Sequence, residues 1–184
     1  MIIWIDGTYG VGKTTVAKQL KKKWGSETEL LEADEYINET IKKIVDEAIA
    51  SDTMPYIAGN TPQSNMNFLK DFKIIIEEKY EVTNKRLIVD MALTEIVCKE
   101  NLFDLLRKEG KNIVHFILTA HEKILRERIK QDKERMKELA LDELEANIQF
   151  LKDSYPDAIW IQTDNSYADD IAEEIIEIIK LMED

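Results

Sequence analysis

Cysteine is almost missing from this chain. Cys98 stands alone, so no disulfide framework holds the fold. Proline is nearly as rare: Pro55, Pro62 and Pro156 are the three, and none interrupts a segment whose periodicity reads as helix or strand. No apolar run approaches the roughly 18 residues that cross a bilayer, which excludes stable membrane insertion. No basic stretch precedes the apolar Met1–Ile5, so no signal peptide is expected, and the expected location is the cytoplasm. Histidine occurs only at His115 and His121, without the spacing of a zinc site. Positive charge is also scarce. The formal net charge is −12, which argues against nucleic acid or an anionic membrane surface as the main partner. The five arginines are Arg86, Arg107, Arg126, Arg128 and Arg135.

Against this background one stretch stands out. Gly7-Thr8-Tyr9-Gly10-Val11-Gly12-Lys13-Thr14 fits the phosphate-binding pattern G-x-x-x-x-G-K-[ST]. A short apolar strand, Met1–Ile5, precedes it. Val16, Ala17, Leu20 and Trp24 follow at helical spacing. Glycines let successive backbone N–H groups turn toward phosphate oxygens, and the following helix aims its positive end at the same point. Lys13 is placed to reach the β- and γ-phosphates, and Thr14 offers a hydroxyl to Mg²⁺. Thr15 continues the helix's first turn, so residues 7 to 15 are the candidate ATP ligands. A dinucleotide-binding loop is the nearest rival, but it requires G-x-G-x-x-G and fits worse.

Strand and helix patterns alternate along the rest of the chain, which implies right-handed crossovers and a parallel sheet. The expectation is a single α/β domain over residues 1–184: a three-layer α/β/α P-loop fold, with a five-stranded parallel sheet, helices on both faces and a small helical lid. Glu29–Ala33 reads as the second strand, with Asp34 at its C-terminal end, the edge that faces ligands in open α/β sheets. Asp34 is a candidate general base or Mg²⁺-linked carboxylate, and equally a cap for a helix starting near Glu35. Residues 36–85 form the expected acceptor-binding insertion, with Tyr56, Asn60, Gln63, Asn65 and Asn67 as polar groups available to line it. Leu87-Ile88-Val89-Asp90 is a buried strand ending in an acid, the pattern that holds Mg²⁺ directly or through water. Asn112–Leu118 is the fourth strand, and the reading of His115 within it is a packed core histidine. Residues 122–150 form the expected lid, and Arg128 is its candidate cation for charge on the transferring phosphoryl group; Arg126 and Arg135 are weaker candidates. Ala158–Gln162 is the fifth strand. Thr163-Asp164-Asn165 follows it, where such loops flank the purine, so Asp164 is a candidate nucleotide contact.

Met1–Gly7 running into Gly12-Lys13-Thr14 resembles the opening of the tunicamycin-resistance protein family. Gln162-Thr163-Asp164-Asn165, and Leu105–Gly110 leading into Val114-His115-Phe116, are also similar. The resemblance implies an ATP-binding protein of nucleotide-kinase type that modifies or sequesters a nucleoside antibiotic. Related small kinases, such as shikimate kinase and chloramphenicol phosphotransferase, place a catalytic acid after the second strand, which matches Asp34. The chain departs from the family at Asp90, where the family has proline, and at Lys130 and Asp132, which stand near places where it has arginines.

The expected activity is ATP- and Mg²⁺-dependent transfer of a phosphoryl group to a hydroxyl of a small molecule, by a monomer or homodimer. Lys13, Asp34 and Arg128 are the catalytic candidates, and Thr14 and Asp90 the metal ligands. A nucleoside or nucleotide kinase of metabolism is one alternative. An ATP-dependent protein that binds its ligand without chemistry is another.

Overall fold

The computed structural model describes residues 1–54, 61–82, 86–132 and 137–183. Tyr56, Asn60 and Arg135 therefore lie outside the described residues. The first strand, β1 (Ile2–Gly7), leads into α1 (Lys13–Trp24). β2 (Thr28–Glu32) and α2 (Ala33–Ala50) follow, then α3 (Met66–Val82) and β3 (Arg86–Asp90). The next helical stretch changes pitch twice: α4 (Ile96–Cys98), a π-helical turn (Lys99–Phe103) and α5 (Asp104–Lys108). β4 (Ile113–Thr119), α6 (Glu122–Gln131), α7 (Lys137–Asp142), α8 (Leu144–Ser154), β5 (Ile159–Gln162) and α9 (Ala168–Glu183) complete the order.

The sheet runs β2-β3-β1-β4-β5, and every pairing is parallel. The central strand carries the phosphate loop. Its neighbours end at Asp90 on one side and Thr119 on the other. A strand alternates its side chains between two faces. Here both faces are covered, so every β1 residue is buried. Ile3 and Ile5 enter one core with Val16, Leu20, Phe116 and Ile175. Ile2 and Trp4 enter the other with Phe68, Phe72, Leu102 and Leu106. This explains why strands of the interior read as unbroken apolar runs and not as alternating ones.

Several boundaries differ from expectation. β1 reaches Gly7, because its pairing with β4 continues through Asp6 and Gly7. β2 ends at Glu32 and α2 begins at Ala33, so Asp34 sits inside the first helical turn and is not its cap. Within the expected lid α6 ends at Gln131, and Asp132 takes an extended conformation. Between Ile96 and Lys108 the helix holds a π turn, and Leu102 and Phe103 lie in the core there. Among the described residues no helix is long and apolar enough to cross a membrane.

Candidate phosphoryl-transfer site

The loop between β1 and α1 is shaped by what surrounds it. Gly7 has φ 137°, and a Cβ there would lie 2.5 Å from the Leu118 carbonyl oxygen and 2.9 Å from Val11. Only glycine fits against β4 at that point. Gly12, at φ 95° and ψ 22°, caps α1 in the left-handed conformation. Nothing lies within 4 Å of the position its Cβ would take, so the backbone faces open space. No side chain caps the α1 N-terminus, and its first turn holds no acid. The positive end of the helix is left available to an anion.

Lys13 is half-buried, and its Nζ donates to the Thr8 carbonyl at 3.0 Å, closing the loop on itself. Thr8 is buried and Tyr9 packs against the first core. Thr14 is half-buried; Thr15 is exposed.

At the end of β3, Asp90 is only 6% exposed. Burial pushes its carboxyl above the usual range, while the Lys13 charge and a hydrogen bond from the Thr14 hydroxyl pull the other way. Thus Lys13, Thr14 and Asp90 meet at one point. A hydroxyl and a carboxylate are hard oxygen donors of the kind Mg²⁺ takes together with substrate phosphates. Among the described residues no group of three or more His, Cys, Asp or Glu could hold a metal alone. The donor set therefore fits a metal brought in with its nucleotide.

Asp34 is exposed in the first turn of α2, beside the C-terminal ends of β2 and β3. Its charge and that of Glu32 both act on Asp90. Glu32 is the register partner of Asp90 and is held by Lys18 at 2.8 Å.

On the other side of β1, Arg128 is occupied. It donates to the Thr163 hydroxyl at 3.1 Å, to the Thr163 carbonyl at 2.7 Å, and at 3.4 Å to the Gly10 and Asp164 carbonyls. It ties α6 to the phosphate loop and to the loop after β5. Asp164 accepts from the His121 backbone N–H at 2.6 Å and from the Gln162 amide. The Gln162 bond, above all, holds its carboxyl below the usual range. These contacts fasten the edge of the site.

Sequence reasoning missed the buried polar brace beneath the loop. Asp6 is fully buried. Its Oδ1 accepts from the Gly7 N–H at 2.6 Å and the Leu93 N–H at 2.9 Å; its Oδ2 pairs with His115 Nε2 at 2.9 Å. His115 is thus a packed core residue, as expected, but a partnered one, with Phe103 and Tyr155 against its ring. The available signal was an acid and a histidine in two otherwise apolar strands, because buried ionisable groups come in pairs.

The segment expected to take the acceptor is also braced. Gln63 Oε1 accepts from the Thr94 N–H at 3.0 Å, the Thr94 hydroxyl at 3.2 Å and the Cys98 thiol at 3.2 Å. Burial pushes that thiol up to about 12. Asn65 is buried and caps α3, its Oδ1 accepting from Asn67 and Phe68 N–H groups at 3.1 and 3.0 Å. Asn67 is exposed. Gln63 and Asn65 both hold loops together.

A parallel sheet ordered 2-3-1-4-5, with a glycine loop and a lysine on its central strand, defines a P-loop fold of small-molecule-kinase type. Residues 3–148 match the family described as an AAA domain, and the chain belongs to that family. Among curated proteins no sequence matches. The fold is similar to the Deinococcus radiodurans tunicamycin resistance protein (TM-score 0.75, 22% identity, 97% of this chain and 94% of that one). It is also similar to a sugar kinase from Janibacter (TM-score 0.65, 17% identity, 97% and 94%). A third likeness is to shikimate kinase from Acinetobacter baumannii, solved with shikimate (TM-score 0.62, 21% identity, 97% and 92%). The family resemblance read from the sequence is borne out, and so is the fold.

Proposed function

We propose that the protein transfers the γ-phosphoryl group of ATP to a hydroxyl of a small molecule, with a nucleoside antibiotic such as tunicamycin as the first acceptor to try. The observation that carries this is the meeting of Lys13, Thr14 and Asp90 at the mouth of an uncapped helix. Backbone N–H groups of residues 7–15 and the Lys13 ammonium hold the phosphates. Thr14 and Asp90 would hold Mg²⁺, which would supply positive charge to offset that of the phosphates. Asp34, exposed one strand away from Asp90, accepts the proton of the attacking hydroxyl. Arg128 steadies charge on the phosphoryl oxygens when α6 closes, releasing carbonyls it holds in this conformation. Asp164 positions the loop beside the purine.

The test is a mass-spectrometric screen of protein, MgATP and a panel holding tunicamycin, nucleosides, sugars and aminoglycosides. A compound gaining one phosphoryl mass with the intact protein, and not with Lys13→Ala, is the expected result. Loss of a positioned phosphate-binding cation costs about 100-fold or more. If ATP binds and nothing gains mass, binding without chemistry replaces this reading, and Asp34 loses its role.

A further inference from the structure

We infer that the acceptor carries no anionic group: it is an uncharged or cationic hydroxyl compound, not a nucleotide or a hydroxy acid. This rests on the reading that β2, α2 and α3 build the acceptor side. A carboxylate or phosphate on a substrate is ordinarily gripped by a fixed cation, most often the two-pronged guanidinium of arginine.

Residues 28–82, which form β2 through α3, contain no arginine, and twelve acidic side chains stand against five lysines. Lys73 is taken by Glu77 and Glu109, both at 2.7 Å, and Lys79 by Glu29 at 3.0 Å. Lys42, Lys43 and Lys70 are exposed on helix surfaces.

The described arginines are all placed elsewhere. Arg86 pairs with Glu183 at 2.8 Å. Arg126 pairs with Glu122 and Glu145. Arg128 holds the loop after β5. Arg107 lies over Phe103 and lines a cavity of about 290 Å³ at the start of β4, the opposite end of the strands from the phosphate loop. Meanwhile Asp34, Glu32 and Asp90 gather where the acceptor hydroxyl must come. Among the described residues Lys18 also reaches these acids, but Glu32 takes it at 2.8 Å, so an anionic acceptor would meet mainly like charge. Lys13, the cation at hand, serves the nucleotide.

Matched pairs test this on the full chain with MgATP: uridine against its 5′-monophosphate, glucose against gluconate, and kanamycin and shikimate as unpaired probes. Product is read by mass spectrometry, and binding of the same compounds by calorimetry with a non-hydrolysable ATP analogue. The expected result is that the uncharged or cationic member is preferred at least about tenfold, as desolvated unpaired charge demands. Equal or better use of the anionic member overturns the inference and leaves the kinase reading intact. No product from any compound overturns phosphoryl transfer instead, and the calorimetric preference, by the same tenfold criterion, then decides the acceptor class.

Discussion

The phosphate loop and the side proposed to take the acceptor are built by different means. On the phosphate side the working groups are backbone: glycine φ angles, an uncapped helix end and one lysine. Backbone geometry is dictated locally, so the same loop serves many chemistries. On the acceptor side the working groups are side chains, and several are consumed by the fold itself. Gln63 braces Thr94, and Asn65 caps α3. Among the exposed charged residues described there, acids outnumber lysines. One side can therefore be recognised by pattern, whereas the other must be read from what its charges exclude.

Asp6 joins the two sides, and removing it breaks the comparison most severely. It holds the first glycine of the loop and the Leu93 N–H that follows β3. Asp6→Ala leaves those two donors and His115 without their partner. The expected loss is about 3–5 kcal/mol, the range for breaking a buried pair. Asp6→Asn retains an oxygen for one or both N–H groups and should lose clearly less. Urea denaturation measures both. A loss under about 1 kcal/mol for Asp6→Ala would mean that the two sides hold together without this brace.

That brace also shows where sequence reading ran out. The strand–loop–helix unit was legible because its signals lie within the first 24 residues and act locally. The five strand segments were legible for the same reason, each being a short local run, whereas their order in the sheet was not read from the sequence. Asp6 and His115 are 109 positions apart, and only the β1–β4 register brings them diagonally together. The π turn at Lys99–Phe103 has no local signature; packing of Phe103 against Trp4 and Tyr155 accompanies it. Gln63 looked like a pocket residue because nothing in its neighbourhood names Thr94 as its partner. Asp34 was placed on the correct edge, but the start of α2 was misjudged by two residues. That shift moved Asp34 from the expected end of the strand into the helix.

Asp90 sharpens the comparison by giving opposite results for stability and turnover. Burial raises its pKa, so the folded state holds the proton more tightly than the unfolded one. Stability of the nucleotide-free protein then falls as pH rises from the ordinary carboxylate range through the raised value. Asp90→Asn should remove that slope and leave the protein equally or more stable at neutral pH. The same variant loses the proposed metal ligand, and phosphoryl transfer should drop by about 100-fold. Thermal midpoints across pH 4 to 8, beside a turnover assay, separate the two effects. A variant that is both less stable at neutral pH and fully active would remove Asp90 from the metal site.

The smallest effect belongs to Asn65, and it tests whether the acceptor side is braced for stability or for binding. Its amide oxygen satisfies two N–H groups in the first turn of α3. Asn65→Ala should cost about 1 kcal/mol, as loss of a helix cap does, whereas Asn65→Asp should restore most of it. The aspartate variant adds a negative charge at the start of α3, whose first turn holds no acid. If α3 contributes to acceptor selection, that variant should disfavour anionic acceptors further while retaining use of uncharged ones. Chemical denaturation gives the first comparison and the matched-pair assay the second. Equal stability of wild type and Asn65→Ala would show that the α3 N-terminus is held by its packing, with Phe68 and Leu69 in the core doing what the cap does not.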